Sequence, residues 1–128
     1  TPELLRRLDD NLRQMTAAQG DTPLAISIDG LFHDIIASGL GNSVLSGLTN
    51  QMFQKRLSPF FARFSNYFEG PQTWGEALAE HGAIRDALAA KDPAAARDAM
   101  RHHLTQSRRR FTESVLAERS EEAALQHI

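Results

Sequence analysis

With 128 residues, 41% of them apolar and 23% charged, the chain has the size and make-up of one globular domain able to bury a core. A formal net charge of −2 removes the electrostatic case for nucleic-acid binding by this segment. The absence of cysteine excludes a disulfide framework and any thiolate metal site.

The chain reads as one helix after another. Pro2 suits a first turn, and Leu5, Leu8, Leu12 and Met15 recur at helical spacing before Gly20 stops the run. Asp21 or Thr22 can cap a second helix that carries Pro23 at its start and runs to about Ser38. Within it, Gly30 is a weak helix former, expected to loosen the helix locally. The stretch SGLGN then makes a turn, and Asn42 can cap a third helix striped by Leu45, Leu48 and Met52. Pro59 should kink or break that helix, with Phe60, Phe61, Phe64 and Phe68 continuing it as a buried piece.

Gly70 and Pro71 punctuate the chain again. Thr73 and Glu76 fit a T-x-x-E capping box at the head of the next helix, which runs to about Ala90. Lys91-Asp92-Pro93 makes a tight turn with Asp92 as cap, and the last long helix places Met100, Leu104, Phe111 and Val115 on its apolar side. The acidic, alanine-rich stretch after Ser120 is a tail, either frayed or a final short helix. There is no strand-like alternation and no internal repeat. The expected fold is all-α, an antiparallel helical bundle of about six helices, with residues 1–120 as the domain and 121–128 as the tail.

The histidines carry the chemistry. His81 and His103 are equidistant along the chain from Asp92. Both arms of an αα-hairpin rise equally per residue, so the two side chains come to one height. His81 falls in register with Ala77, Leu78, Ile84 and Leu88, and His103 with Ala96, Met100, Ser107 and Phe111. His102, one residue away, turns to the polar side with Asp98 and Arg109. Asp29 and His33 are spaced i, i+4 on the second helix and can chelate one ion. One carboxylate and three imidazoles form a ligand set for a first-row divalent metal. The competing reading makes each histidine a hydrogen-bonded core residue and Asp29 a solvated helix residue, and spacing alone leaves both open. His127 lies in the tail without a role.

These residues also resemble a family. D-x-x-F-H from Asp29 to His33, followed by Asn42 in a GN-x-x-L stretch, is similar to the FCD domain. That is the effector-binding C-terminal domain of GntR-type transcriptional regulators of the FadR subfamily. The segment from Glu80 to Leu104, E-H-x-A-I-x-D-A-L through A-M-x-x-H-L, resembles the family's second signature. The likeness runs from about residue 3 to 118. It implies an all-α bundle holding a divalent metal through Asp29, His33, His81 and His103, with zinc the first expectation and nickel or manganese as alternatives.

The resemblance further implies a sensor and not an enzyme. A small carboxylate or hydroxy-acid metabolite would bind on open metal positions and control DNA binding by a winged helix-turn-helix domain that this chain lacks. Opening on Thr1 in place of Met fits an excised sensor half. A homodimer is the family expectation. Arg56 is a candidate to pair with the effector carboxylate, against a surface role, and Asn42 a candidate to touch the effector, against a role as helix cap. Arg108, Arg109 and Arg110 read as a solvated basic face with acidic partners such as Glu113. With no signal peptide and no apolar run long enough for a bilayer, a cytoplasmic protein without a membrane partner is expected. The alternatives are a metal-dependent helical-bundle enzyme and a dimerisation module stapled by metal.

Overall fold

Pro2 lacks the amide hydrogen that a first turn would leave unpaired, and α1 (Pro2–Ala17) begins there. Asp21 caps α2 (Thr22–Gly39) by accepting a hydrogen bond from the Leu24 amide at 3.2 Å. The helix passes unbroken through Gly30, which is buried, so the expected loosening does not occur. Two longer helices follow, α3 (Pro71–Ala89) and α4 (Pro93–Gln126). The computed structural model describes residues 2–39, 44, 47, 48, 51 and 70–126, and these four helices are the elements among them. Asn42, Arg56, Pro59 and the phenylalanine cluster lie outside the described residues.

The start of α3 differs from the sequence expectation. Gly70, not Thr73, is the N-cap, with extended backbone, and Pro71 takes the first helical position. Thr73 reaches back from the third position, where its Oγ1 accepts from the Gly70 amide and donates to the Gly70 carbonyl, both at 2.9 Å. Proline presets the helical φ and has no amide to satisfy, so the helix starts three residues earlier than a threonine cap would place it. Between α3 and α4 the turn is as expected. Lys91 adopts a positive φ of 55°, and Asp92 Oδ1 accepts from the Ala95 amide at 3.1 Å. No break separates the stretch after Ser120 from α4, which continues to Gln126.

Short connections make α1 and α2, and α3 and α4, antiparallel neighbours, and α1 also packs on α3. The core divides into two apolar clusters. One joins Met15 of α1, Ala25 and Ile28 of α2, and Trp74 and Ala77 of α3. The other joins Leu8, Phe32, Ile35 and Ile84. Arg85 clamps Asp9 side-on, donating from Nε and Nη2 to the two carboxylate oxygens at 2.8 and 3.2 Å, and so fixes the register of α3 against α1. Ile84→Val should therefore cost about 1 kcal/mol, read as a lower urea midpoint at unchanged denaturant slope.

Between the two clusters runs a polar layer. In sequence Asn11 falls between Leu8 and Met15, Asp29 between Ile28 and Phe32, and His81 between Ala77 and Ile84. With His103 these are the buried polar side chains among the described residues. Polar groups enclosed by apolar ones need partners, and their partners define the site.

Candidate metal centre

Each ligand candidate reaches the layer for a local reason. The i, i+4 spacing on α2 stacks His33 over Asp29, with Nε2 and Oδ1 3.5 Å apart. The α3–α4 hairpin brings His81 and His103 to one height, with their Nε2 atoms 3.2 Å apart. Packing of α2 on this hairpin then closes a ring: His81 Nε2 lies 3.1 Å from Asp29 Oδ1, and His103 Nε2 lies 3.4 Å from His33 Nε2. One donor atom from each of the four residues lies within 4.8 Å of the others.

The rings are held at crossed angles that aim all three Nε2 atoms inward. His81 stands at 81° to His103 and 88° to His33, while His33 and His103 are within 12° of parallel. Phe32 covers the outer face of His81, ring on ring at 3.9 Å and 8°.

Electrostatics make the layer suited to a cation. Burial works to raise the Asp29 carboxyl, but hydrogen bonds from His33 and His81 outweigh it and hold the group well below the usual carboxylate range. Burial pushes His81 down, against the opposing pull of Asp29, and pushes His103 down to about 4. At neutral pH, then, Asp29 is an anion and both of these imidazoles are neutral, with lone pairs free to bind. The donor set fits a divalent ion on distance as well. Ligand atoms about 2.1 Å from one ion stand about 3.0 Å apart at right angles and about 3.4 Å apart at tetrahedral angles. The four contacts of the ring, 3.1 to 3.5 Å, are close to that range.

Behind the ring lies a chain of support that sequence reasoning missed. His103 Nδ1 is 2.7 Å from Glu80 Oε1, and Arg110 grips both oxygens of Glu80 at 2.7 and 2.8 Å. Burial tends to raise the Glu80 carboxyl, but Arg110 and His103 hold it below its ordinary value. An ionised Glu80 accepts a hydrogen bond from the His103 Nδ1–H, which keeps that proton on Nδ1 and leaves Nε2 bare for the ring. The tell-tale in the sequence was Arg110, two turns after His103 on the inner side of α4. Of the basic run, Arg109 does pair with Glu113 at 3.0 Å on the surface, but Arg110 turns inward. Glu80→Gln should weaken zinc affinity about 10- to 100-fold in a chelator competition while the helical spectrum stays unchanged.

Other expectations divide. His103 is buried and His102 exposed, as the helical phase required. Leu104, expected on the apolar side of α4, is 55% exposed. It directly follows His103, so rotating the helix to bury the histidine carries the leucine outward. The effector candidates Arg56 and Asn42 lie outside the described residues. No helix among the described residues is long and apolar enough to cross a membrane.

No curated protein and no solved structure gives a significant match to the chain. A family model described as the FCD domain matches residues 1–106, a span that holds all four donors of the ring and the polar layer around them. On that match the chain belongs to the FCD domain family, the ligand-binding domains of GntR-type transcriptional regulators.

Proposed function

We propose that this domain senses a small carboxylate or hydroxy acid through a divalent metal held by Asp29, His33, His81 and His103. The observation that carries the reading is the closed ring of one carboxylate and three imidazole donors in a layer between two apolar clusters. Zinc is the first choice, and nickel and manganese suit the same N₃O set. When bound, the metal supplies Lewis-acid positions for the effector's oxygens.

The chain's own residues do the rest. Asp29 supplies the compensating charge, Glu80 and Arg110 fix the His103 ring, and Phe32 walls the layer from the core. His33 is the most exposed ligand, at 14% of its side chain, so the effector approaches from its side. Arg56 and Asn42 are the candidate effector contacts, assigned on sequence grounds. Effector binding would shift the helices that meet at the ring and so govern DNA binding by a winged helix-turn-helix partner domain in a cytoplasmic homodimer.

Calorimetric titration of the zinc-loaded protein with a panel of hydroxy acids and dicarboxylates tests this. Binding of at least one compound that vanishes after metal removal is expected. Equal binding by the metal-stripped protein would separate effector from metal, and no binding across the panel would overturn the carboxylate reading.

A further inference from the structure

The two buried histidines of the ring are unequally supported. His103 has Glu80 at its Nδ1, whereas the Nδ1 of His81 is buried with no hydrogen-bond partner among the described residues. An imidazole that ligates through Nε2 must carry its proton on Nδ1, and that N–H is a donor in need of an acceptor. A second buried atom lacks a partner in the same polar layer, the Oδ1 of Asn11. It is an acceptor.

Helix register brings the two residues to one level. On α1 and α3, which run antiparallel, Asp9 meets Arg85. Leu8 shares one apolar cluster with Ile84 and Met15 shares the other with Ala77, so Asn11, between them on α1, falls level with His81 on α3. The amide of Asn11 is also oriented. Its Nδ2 donates to the Ile28 carbonyl at 3.0 Å, which leaves Oδ1 as the free end, beside the residue that precedes Asp29. The third buried side-chain atom without a partner, Trp74 Nε1, lies two turns from His81 along α3 and is a donor, so it cannot serve.

His81 Nε2 faces the ring, 3.1 Å from Asp29 Oδ1 and 3.2 Å from His103 Nε2, while its Nδ1 faces away with no partner among the described residues. Using Nε2 as a ligand fixes the imidazole proton on Nδ1 and sets a donor at the level of the unpartnered Asn11 acceptor.

We propose that Asn11 is the positioning residue for His81, its Oδ1 accepting the Nδ1–H of the ligating imidazole directly or across one buried water. This rests on the metal-binding reading above. Asn11 thus does for His81 what Glu80 does for His103, and α1 becomes part of the site although it contributes no ligand.

The test compares Asn11→Leu with Asn11→Asp. Both remove the donor to the Ile28 carbonyl, so both lower the melting temperature of the metal-stripped protein. Only Asp keeps an acceptor toward His81. Zinc affinity by chelator competition should fall about 10- to 100-fold in Asn11→Leu and stay within a few-fold of wild type in Asn11→Asp. Equal affinities in the two variants would overturn the proposal and leave Asn11 as a carbonyl anchor. Should either variant fail to fold, the zinc-loaded wild type decides alone. Its His81 Nδ1 proton should appear in long-range ¹H–¹⁵N spectra as slowly exchanging, and exchange as fast as in a free imidazole would overturn the assignment. A wild-type protein that takes up zinc while Asn11→Leu binds it equally well loses only this inference. A wild type that takes up no zinc, nickel or manganese loses the metal reading and this inference together.

Discussion

Purified protein reloaded with zinc should carry close to one ion per chain, and His81→Ala and His103→Ala should carry almost none. The expectation follows from geometry. Each of these histidines contributes two of the four contacts that close the donor ring, so deleting either opens it and leaves Asp29 with a truncated set. The effect on stability should be large. A ligand present at a thousandfold excess over its dissociation constant stabilises the folded state by about 4 kcal/mol. For a chain of this size that is on the order of 10–20 °C in melting temperature. Elemental analysis gives the occupancy, and thermal melts with and without chelator give the stabilisation. Wild-type metal content in both alanine variants would place the ion elsewhere. A wild type that stays metal-free after reloading with zinc, nickel and manganese would leave a helical domain with hydrogen-bonded core histidines.

Metal-stripped protein should lose stability as the pH falls from about 7 to about 4, well before general acid denaturation. The sign comes from His103. Its ordinary value of 6.5 applies to the unfolded chain, while burial holds the folded group down to about 4. Below the unfolded value the unfolded state binds the proton that the folded state refuses. The contribution is therefore fully present above pH 6.5 and lost progressively as the pH approaches 4. A shift of that size is worth roughly 3 kcal/mol at most. His81, also depressed by burial, acts in the same direction. Asp29, held below its usual range, begins to contribute to the loss only under pH 3.8. Urea midpoints measured in chelator across this range check the prediction. A flat profile between pH 7 and pH 5 would mean that the imidazoles of the polar layer take up protons freely in the folded state.

The two expectations are coupled through one structural fact. The same burial that keeps the imidazoles neutral keeps their lone pairs available, so conditions that protonate them also remove the ligands. Zinc should thus stabilise the protein most where the metal-free form is itself most stable, and lose its hold as the pH drops.

Much of the site was legible in the chain because its determinants are local. Helical spacing alone puts Asp29 beneath His33, and equal distance from the Asp92 turn alone levels His81 with His103. The choice of His103 over His102 needed only the phase of one helix against Met100. Those features depend on backbone geometry that every α-helix shares, and the caps at Asp21 and Asp92 belong to the same class. The Gly70 cap was missed for a local reason too. Proline and threonine compete to start α3, and the preset φ of Pro71 wins.

Only tertiary packing decided the rest. Nothing within α3 says that Glu80 faces Arg110 across the hairpin, because the partner arrives on another helix at a distance of 30 residues. Asn11 shows the same limit. A polar residue on the stripe of Leu8, Leu12 and Met15 is an irregularity in the sequence, but its meaning depends on which carbonyl and which imidazole meet it. Periodicity gives the face a side chain occupies, whereas the identity of its neighbour follows from how separate helices pack, and hydrogen-bond partners in a core are set at that second level.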